Sequence, residues 1–289
     1  MGSKEGVKNA KKQTMERFEC DDVGEMKEYI GCKVERNRED NSMKLTQPVL
    51  LQSFEDEFDL PDGAVPKTPA VPGEVLVKSD ATIDERTYKR YRSGVGKLLH
   101  LMKRSRPEVS NAVRGLSKFM TSDAGEKQMN AMYRVMKYCV GTPNRGMYLK
   151  PTRIFDGTPE FENVIEGNSD ACYATDTDTR ISVGGHSTTV NGVTTAKKSA
   201  RQRTVSLSIT EAELISAVEC AQEMVFQMNI LESVNLRVQI PMILWVDNKG
   251  TIDLVNKWSV GGQTRHVESK TWYLRAKRER HTQSEVDCW

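Results

Sequence analysis

The sequence predicts an α/β protein: a mixed sheet with flanking helices in its C-terminal half, preceded by a strand hairpin and a helical stretch. Three observations carry this. From about residue 160, strand-like and helical runs follow the order β-β-β-α-β-α-loop-α, with Asn191-Gly192 as a strong hairpin signal between the second and third strands. The run Ile240–Val246 (IPMILWV) is short and wholly apolar, as in a strand buried on both faces, and it ends at Asp247-Asn248. From Asp84 to Lys150, apolar residues recur at helical spacing. Three antiparallel strands meeting a parallel one satisfy the first two observations.

Taken in order, residues 26–50 read as a hairpin. Tyr29, Ile30, Cys32 and Val34 start a strand, Asn-Arg-Glu-Asp-Asn makes the turn, and Met43 and Leu45 resume. Gln47 to Phe58 is a short amphipathic helix carrying Val49, Leu50, Phe54 and Phe58, and the proline-rich stretch after Leu60 is a linker or wrapping loop. Tyr91, Val95, Leu98, Leu99 and Met102 mark one helix. Pro107 opens the next, with Val109, Ala112, Val113, Leu116 and Phe119, and a third runs from Lys127 to Val140. A strand is expected at 146–150. Further strands are expected at 163–174, 181–190 and 192–207, a long helix at 209–233, then the apolar strand and a helix containing Ile252 and Leu254. A Gly261-Gly262 loop leads to a final helix from about Arg265. The corresponding segments are 1–78, 79–158 and 159–289.

Composition narrows the class. With 42 Lys+Arg against 40 Asp+Glu, the net charge of +2 does not announce a nucleic-acid binder, so local charge must be read instead. No apolar run approaches the roughly 20 residues of a membrane span, and MGSKEGVKNAKKQ has no apolar core of a secretory signal. The six cysteines form no CxxC pair and there are four histidines, which argues against zinc. Dispersed cysteines suit a reducing compartment, so an intracellular protein, in cytoplasm or nucleus, is expected.

Four acids occupy telling places. Asp170 lies in a strand, Glu213 in the first turns of the long helix, Asp247 at the end of the apolar strand, and Glu268 at the start of the last helix. Open α/β sheets put their ligands at the carboxyl ends of strands. Carboxylates without His or Cys suit Mg²⁺, and two such ions about 4 Å apart can drive phosphodiester hydrolysis. Any one of these acids alone is ordinary, because acids favour turns and helix N-termini. Glu211 competes with Glu213: the stripe Leu214, Ala217, Ala221, Val225 and Met228 lies a similar angle from both, so periodicity does not separate them.

The stretches GNSDACYATDTDTRISVGGH, SLSITEAELISA, WVDNKGTIDLV and TRHVESKTWYLR resemble the RNase H domain of copia-type LTR-retrotransposon Pol polyproteins. That family shows Ser-Asp-Ala with an aromatic two residues on, Ser-Thr-Glu-Ala-Glu, an apolar strand ending Asp-Asn, and Arg/Lys-His-Ile-Asp. Upstream, DDVGEMKEYIGCKV, SGVGKLLHLMKRSRPEVSNAV and MYRVMKYCVGTPNRGMYL are similar to the family's reverse-transcriptase palm tail and thumb-connection region. The resemblance spans about 15–280. It implies an RNase H-like mixed sheet with flanking helices, preceded by a partial palm hairpin and a helical thumb-connection region. It further implies metal carboxylates at Asp170, Glu213, Asp247 and Glu268, two Mg²⁺ ions (Mn²⁺ as an alternative), and hydrolysis of RNA in RNA/DNA hybrids. The rest of a Pol polypeptide is a candidate partner.

Departures from the family pattern matter. Glu268 stands where the family commonly has Asp, and the histidine usual before the third connection helix is Gln128. Mg²⁺ tolerates a displaced ligand poorly, so binding is expected and turnover is left to experiment. Asp21-Asp22 lacks the aromatic and apolar lead-in of a polymerase motif, and is expected to cap a helix before Gly24. No polymerase activity is expected from this chain alone.

Basic residues suggest where phosphates would lie. Lys197, Lys198, Arg201 and Arg203 run along the third strand. Arg265 and His266, with Lys270, Arg275, Lys277, Arg278 and Arg280, form a second set, and Lys103, Arg104 and Arg106 stand at a helix junction. Recognition of a hybrid would rest on shape and 2′-hydroxyls. The alternative from another class is an inactive nucleic-acid-binding remnant that retains fold and basic strips.

Overall fold

The computed structural model describes residues 4–79, 83–121, 124–175, 179–256, 269–271, 273–274 and 282–283. The chain divides into two compact units, Asp21–Leu149 and Met1–Cys20 with Lys150–Trp289. No helix among the described residues is long and apolar enough to cross a membrane.

Helix α1 (Lys4–Arg17) has no counterpart among the expected elements; its composition is polar and basic, and its described side chains are all exposed. The expected cap at Asp21-Asp22 is a turn instead. Helix α1 has already ended, and the Asp22 carboxylate accepts from the Gly24 amide at 2.9 Å, a local bond that competes with helix.

In the unit Asp21–Leu149, β1 (Glu28–Tyr29), β2 (Cys32–Asn37) and β3 (Ser42–Thr46) form antiparallel hairpins. Beside them stand α2 (Pro48–Phe58), α3 (Glu85–Arg104), a 3-10 turn at Pro107–Val109, α4 (Ser110–Ser117) and α5 (Glu126–Val140). Strand β4 (Met147–Leu149) returns to β3. Asp84 caps α3 by accepting from the Arg86 and Thr87 amides. The core joins Phe54 and Phe58 to Tyr91, Leu98, Leu101, Met132 and Met136. Gly94 permits this closeness, since a methyl group there would sit 2.8 Å from Met136 and 2.9 Å from Phe58. Gln128 is buried in the first turn of α5, where its carbonyl accepts from the Gly125 amide and its amide donates to the Val77 carbonyl.

The second unit contains β5 (Glu162–Asn163), β6 (Ile165–Cys172), β7 (Val183–Val190), β8 (Val193–Arg201), α6 (Ile209–Ser233), β9 (Arg237–Val238), β10 (Met242–Val246), α7 (Lys249–Asn256) and β11 (Thr282–Gln283). The main sheet runs β11-β10-β6-β7-β8. Strand β6 pairs antiparallel with β7, β7 antiparallel with β8, and β10 parallel with both β6 and β11. Strands β5 and β9 form a small parallel pair. Asn191 and Gly192 both have positive φ, which the two-residue hairpin between β7 and β8 requires.

Of the strand boundaries that differ from expectation, two have a clear physical cause. Strand β10 begins after Pro241, which has no amide to donate to a ladder. Strand β8 stops at Arg201 rather than continuing to 207, because the buried Gln202 leaves the sheet and donates to the Ala212 carbonyl of α6 at 2.8 Å. Helix α6 lies on one sheet face over Ile165, Met242 and Leu244. Gly167 and Gly184 let it approach, for a methyl group on Gly167 would meet Met224 Sδ at 2.5 Å and Cys220 Sγ at 2.7 Å.

Candidate metal centre

Alternation along the strands decides where the acids point. In β6, Ile165, Gly167, Ser169 and Ala171 are buried, while Asn168, Asp170 and Cys172 are exposed. In β10 the buried positions are Met242 and Leu244. Asp247 follows Val246, which partners Ser169, so it comes level with Asp170 in the neighbouring parallel strand. Helix α6 supplies the third acid from its N-terminal end. One carboxylate oxygen each from Asp170, Glu213 and Asp247 lie within 4.8 Å of one another.

Glu213 is the inward acid and Glu211 the capping one. Ser208 accepts from the Glu211 amide at 3.1 Å, while the Glu211 carboxylate accepts from the Leu207 amide at 2.8 Å. Glu213 is 4% exposed, and its Oε1 accepts from the Ala171 amide at 3.1 Å. The buried stripe of α6 includes Ser216, Cys220, Met224 and Gln227, so it is turned toward Glu213 from where apolar residues alone would centre it. Those positions were unreadable by hydropathy because some are polar. Gln227, for one, is satisfied against the sheet by Thr188 and Thr195.

Burial pushes the Glu213 carboxyl up to about 7; the Ala171 amide opposes the shift, and the charges of Asp170 and Asp247 add to it. Repulsion between the acids is thus a contributor and desolvation the main cause. Glu213 Oε2 is buried with no hydrogen-bond partner. A buried carboxylate oxygen left unpaired is costly, and a hard divalent cation would satisfy it. Three carboxylates, one holding an orphaned oxygen, fit Mg²⁺ or Mn²⁺.

Strand register sorts the basic residues. Asp170 pairs with Gly185, and Gly185 with Ser199, so these three share one sheet face. Lys197 and Arg201 flank that row on the same face, two strands from Asp170, or about 10 Å. Lys198 alternates to the α6 face, where it pairs with Glu219 at 2.7 Å; adjacent residues of a strand cannot serve one surface together. Arg201 donates to Thr179 Oγ1 at 2.9 Å. Arg203 lies beyond the strand and is exposed. His186, opposite Lys198, is partly buried, and desolvation with the Lys198 charge holds its pKa down.

Arg106 departs from expectation. It is 0% exposed, donating to Glu108, to the Cys139 and Thr142 carbonyls and to Thr142 Oγ1, so it is not available to a phosphate backbone. Glu268, Arg265, His266, Arg275, Lys277, Arg278 and Arg280, with the Gly261-Gly262 loop, lie outside the described residues. The five described cysteines are free thiols.

No protein-family model matches the chain. Over 263 residues, 89% of its length, it is 27% identical to the retrovirus-related Pol polyprotein from transposon TNT 1-94 of Nicotiana tabacum. Over 261 residues, 90% of its length, it is 26% identical to that from transposon RE1 of Arabidopsis thaliana. The chain spans 19% and 17% of the length of these two relatives. Over 136 residues, 47% of its length, it is 38% identical to secreted RxLR effector protein 161 of Plasmopara viticola, of which it covers 89%. Along nearly its whole length, the chain is similar to retrovirus-related Pol polyproteins of copia-type transposons.

Proposed function

We propose that the unit built on β6, α6 and β10 is a ribonuclease H that hydrolyses the RNA strand of RNA/DNA hybrids with two divalent ions. The observation that carries this reading is the convergence of Asp170, Glu213 and Asp247 from three separate elements to within 4.8 Å. The similarity to Pol polyproteins over 89% of the chain supports it. Asp170 and Asp247, exposed at the strand ends, would hold the ions from the substrate side. Glu213 would hold them from beneath, its orientation fixed by the Ala171 amide. Glu268 is proposed as the fourth ligand. Bound there, Mg²⁺ would activate water and stabilise charge on the phosphodiester oxygens.

The chain's own groups supply the rest. Glu213 has to lose its proton before it can bind a cation, which its raised pKa makes a requirement on pH near neutrality. Lys197 and Arg201, on the Asp170 face, are placed to attract hybrid phosphates, with Arg203 beyond them and Arg265 and His266 as further proposed contacts.

The test is cleavage of an end-labelled RNA/DNA hybrid in Mg²⁺, with duplex DNA and single-stranded RNA as controls. Cleavage confined to the hybrid, stopped by chelation, is expected. Asp170→Asn should lower the rate at least about 100-fold, or about 2.7 kcal/mol of transition-state stabilisation. Full activity in that variant would refute the assignment. Hybrid bound but left uncut by the parent chain would favour the inactive remnant.

A further inference from the structure

Asp247 sits in a two-residue joint between β10 and α7, so two things fix its backbone. One is the ladder to β6, which ends at Val246 and Ser169. The other is the first turn of α7. Asn248 caps that turn: its Oδ1 accepts from the Thr251 amide at 2.9 Å, and its carbonyl accepts from the Ile252 amide at 3.1 Å. Thr251 is 1% exposed, and its one hydroxyl proton is shared between the Thr210 carbonyl of α6 at 3.1 Å and Asn248 Oδ1 at 3.2 Å. Thr210 lies three residues before Glu213. A single buried hydroxyl therefore joins the turn that follows Asp247 to the turn that carries Glu213. The fit is close, since a methyl group on Gly250 would stand 2.8 Å from Thr210 Oγ1 and 3.1 Å from Asn248 Oδ1.

We propose that Thr251 is a positioning residue for the metal centre, setting the spacing of Asp247 from Glu213 through its bond to Thr210 without touching the ion. This rests on the metal-site reading above. Residues that hold metal ligands in place change metal affinity by about 10–100-fold when altered. Thr251→Val keeps the side-chain shape and removes the hydroxyl; Thr251→Ser keeps the hydroxyl.

The experiment is calorimetric titration of the full chain with Mn²⁺, alongside circular dichroism for the fold. Four proteins are compared at the outset: the parent, Asp170→Asn, Thr251→Val and Thr251→Ser. The expected result is parent binding, loss in Asp170→Asn, affinity weakened about tenfold or more in Thr251→Val, and recovery in Thr251→Ser. Parent-like affinity in a folded Thr251→Val overturns the positioning role while leaving the metal site standing. No Mn²⁺ binding by the parent overturns both. Should Thr251→Val not fold, Gly250→Ala decides, because its methyl group presses on the Thr210 and Asn248 side chains of the same two turns. Weakened binding there supports the proposal, and unchanged binding overturns it.

Discussion

Glu213, the buried acid of the proposed metal centre, carries a proton-linked cost. Its pKa is raised from 4.5 to about 7 in the folded chain. Between those values the folded state holds a proton at Glu213 that the unfolded state has shed, so this group's contribution to stability falls as pH rises through that window. In metal-free buffer the melting midpoint of Glu213→Gln should therefore change less from about pH 4.5 to pH 7 than that of the parent. Equal slopes would contradict the placement of Glu213. Choosing this acid over Glu211 was not possible from periodicity. The resemblance favours Glu213, and the burial of Ser216 and of Gln227, which bonds to the sheet, turns the buried face of α6 toward that acid. Asp247 was legible because an acid at the end of an apolar run is conspicuous; Asp170, after the largely polar run Ile165–Ser169, was marked by the Ser-Asp-Ala resemblance.

Among the elements, β8 and β6 make the sharpest predictions. The sequence shows a basic run along β8, but only register reveals that Lys197 and Arg201 share the Asp170 face while Lys198 is paired with Glu219 on the other. Alanine at Lys197 or at Arg201 should weaken hybrid binding and reduce the slope of log affinity against log salt by about 0.7–0.9 each. Alanine at Lys198 should leave that slope unchanged, as read by fluorescence anisotropy across a salt series. In β6, Gly167→Ala should destabilise the chain by about 1–3 kcal/mol in a denaturant titration, because Cys220 and Met224 press on the glycine. Helix limits were largely legible, Ile209–Ser233 among them. The early end of β8 was not, for Gln202 reads as an ordinary strand-edge polar residue until its bond to Ala212 is seen.

At the scale of the whole molecule, each compact unit has a hydrophobic core of its own, one of interlocked helices over Phe54 and Leu98, the other of α6 on the sheet. Element order made the mixed sheet legible, because an antiparallel trio, a long helix and an apolar strand have few ways to bury their faces. Helix α1 was not legible, since its polar composition gives no periodic signal. The claim on which the function stands is that Asp170, Glu213 and Asp247 are partners around a divalent cation. Anomalous diffraction from a crystal soaked in Mn²⁺ measures this most directly. A manganese peak coordinated by oxygens of all three carboxylates is the predicted result, and Mn²⁺ absent from them in a soaked crystal at pH 8 would contradict it.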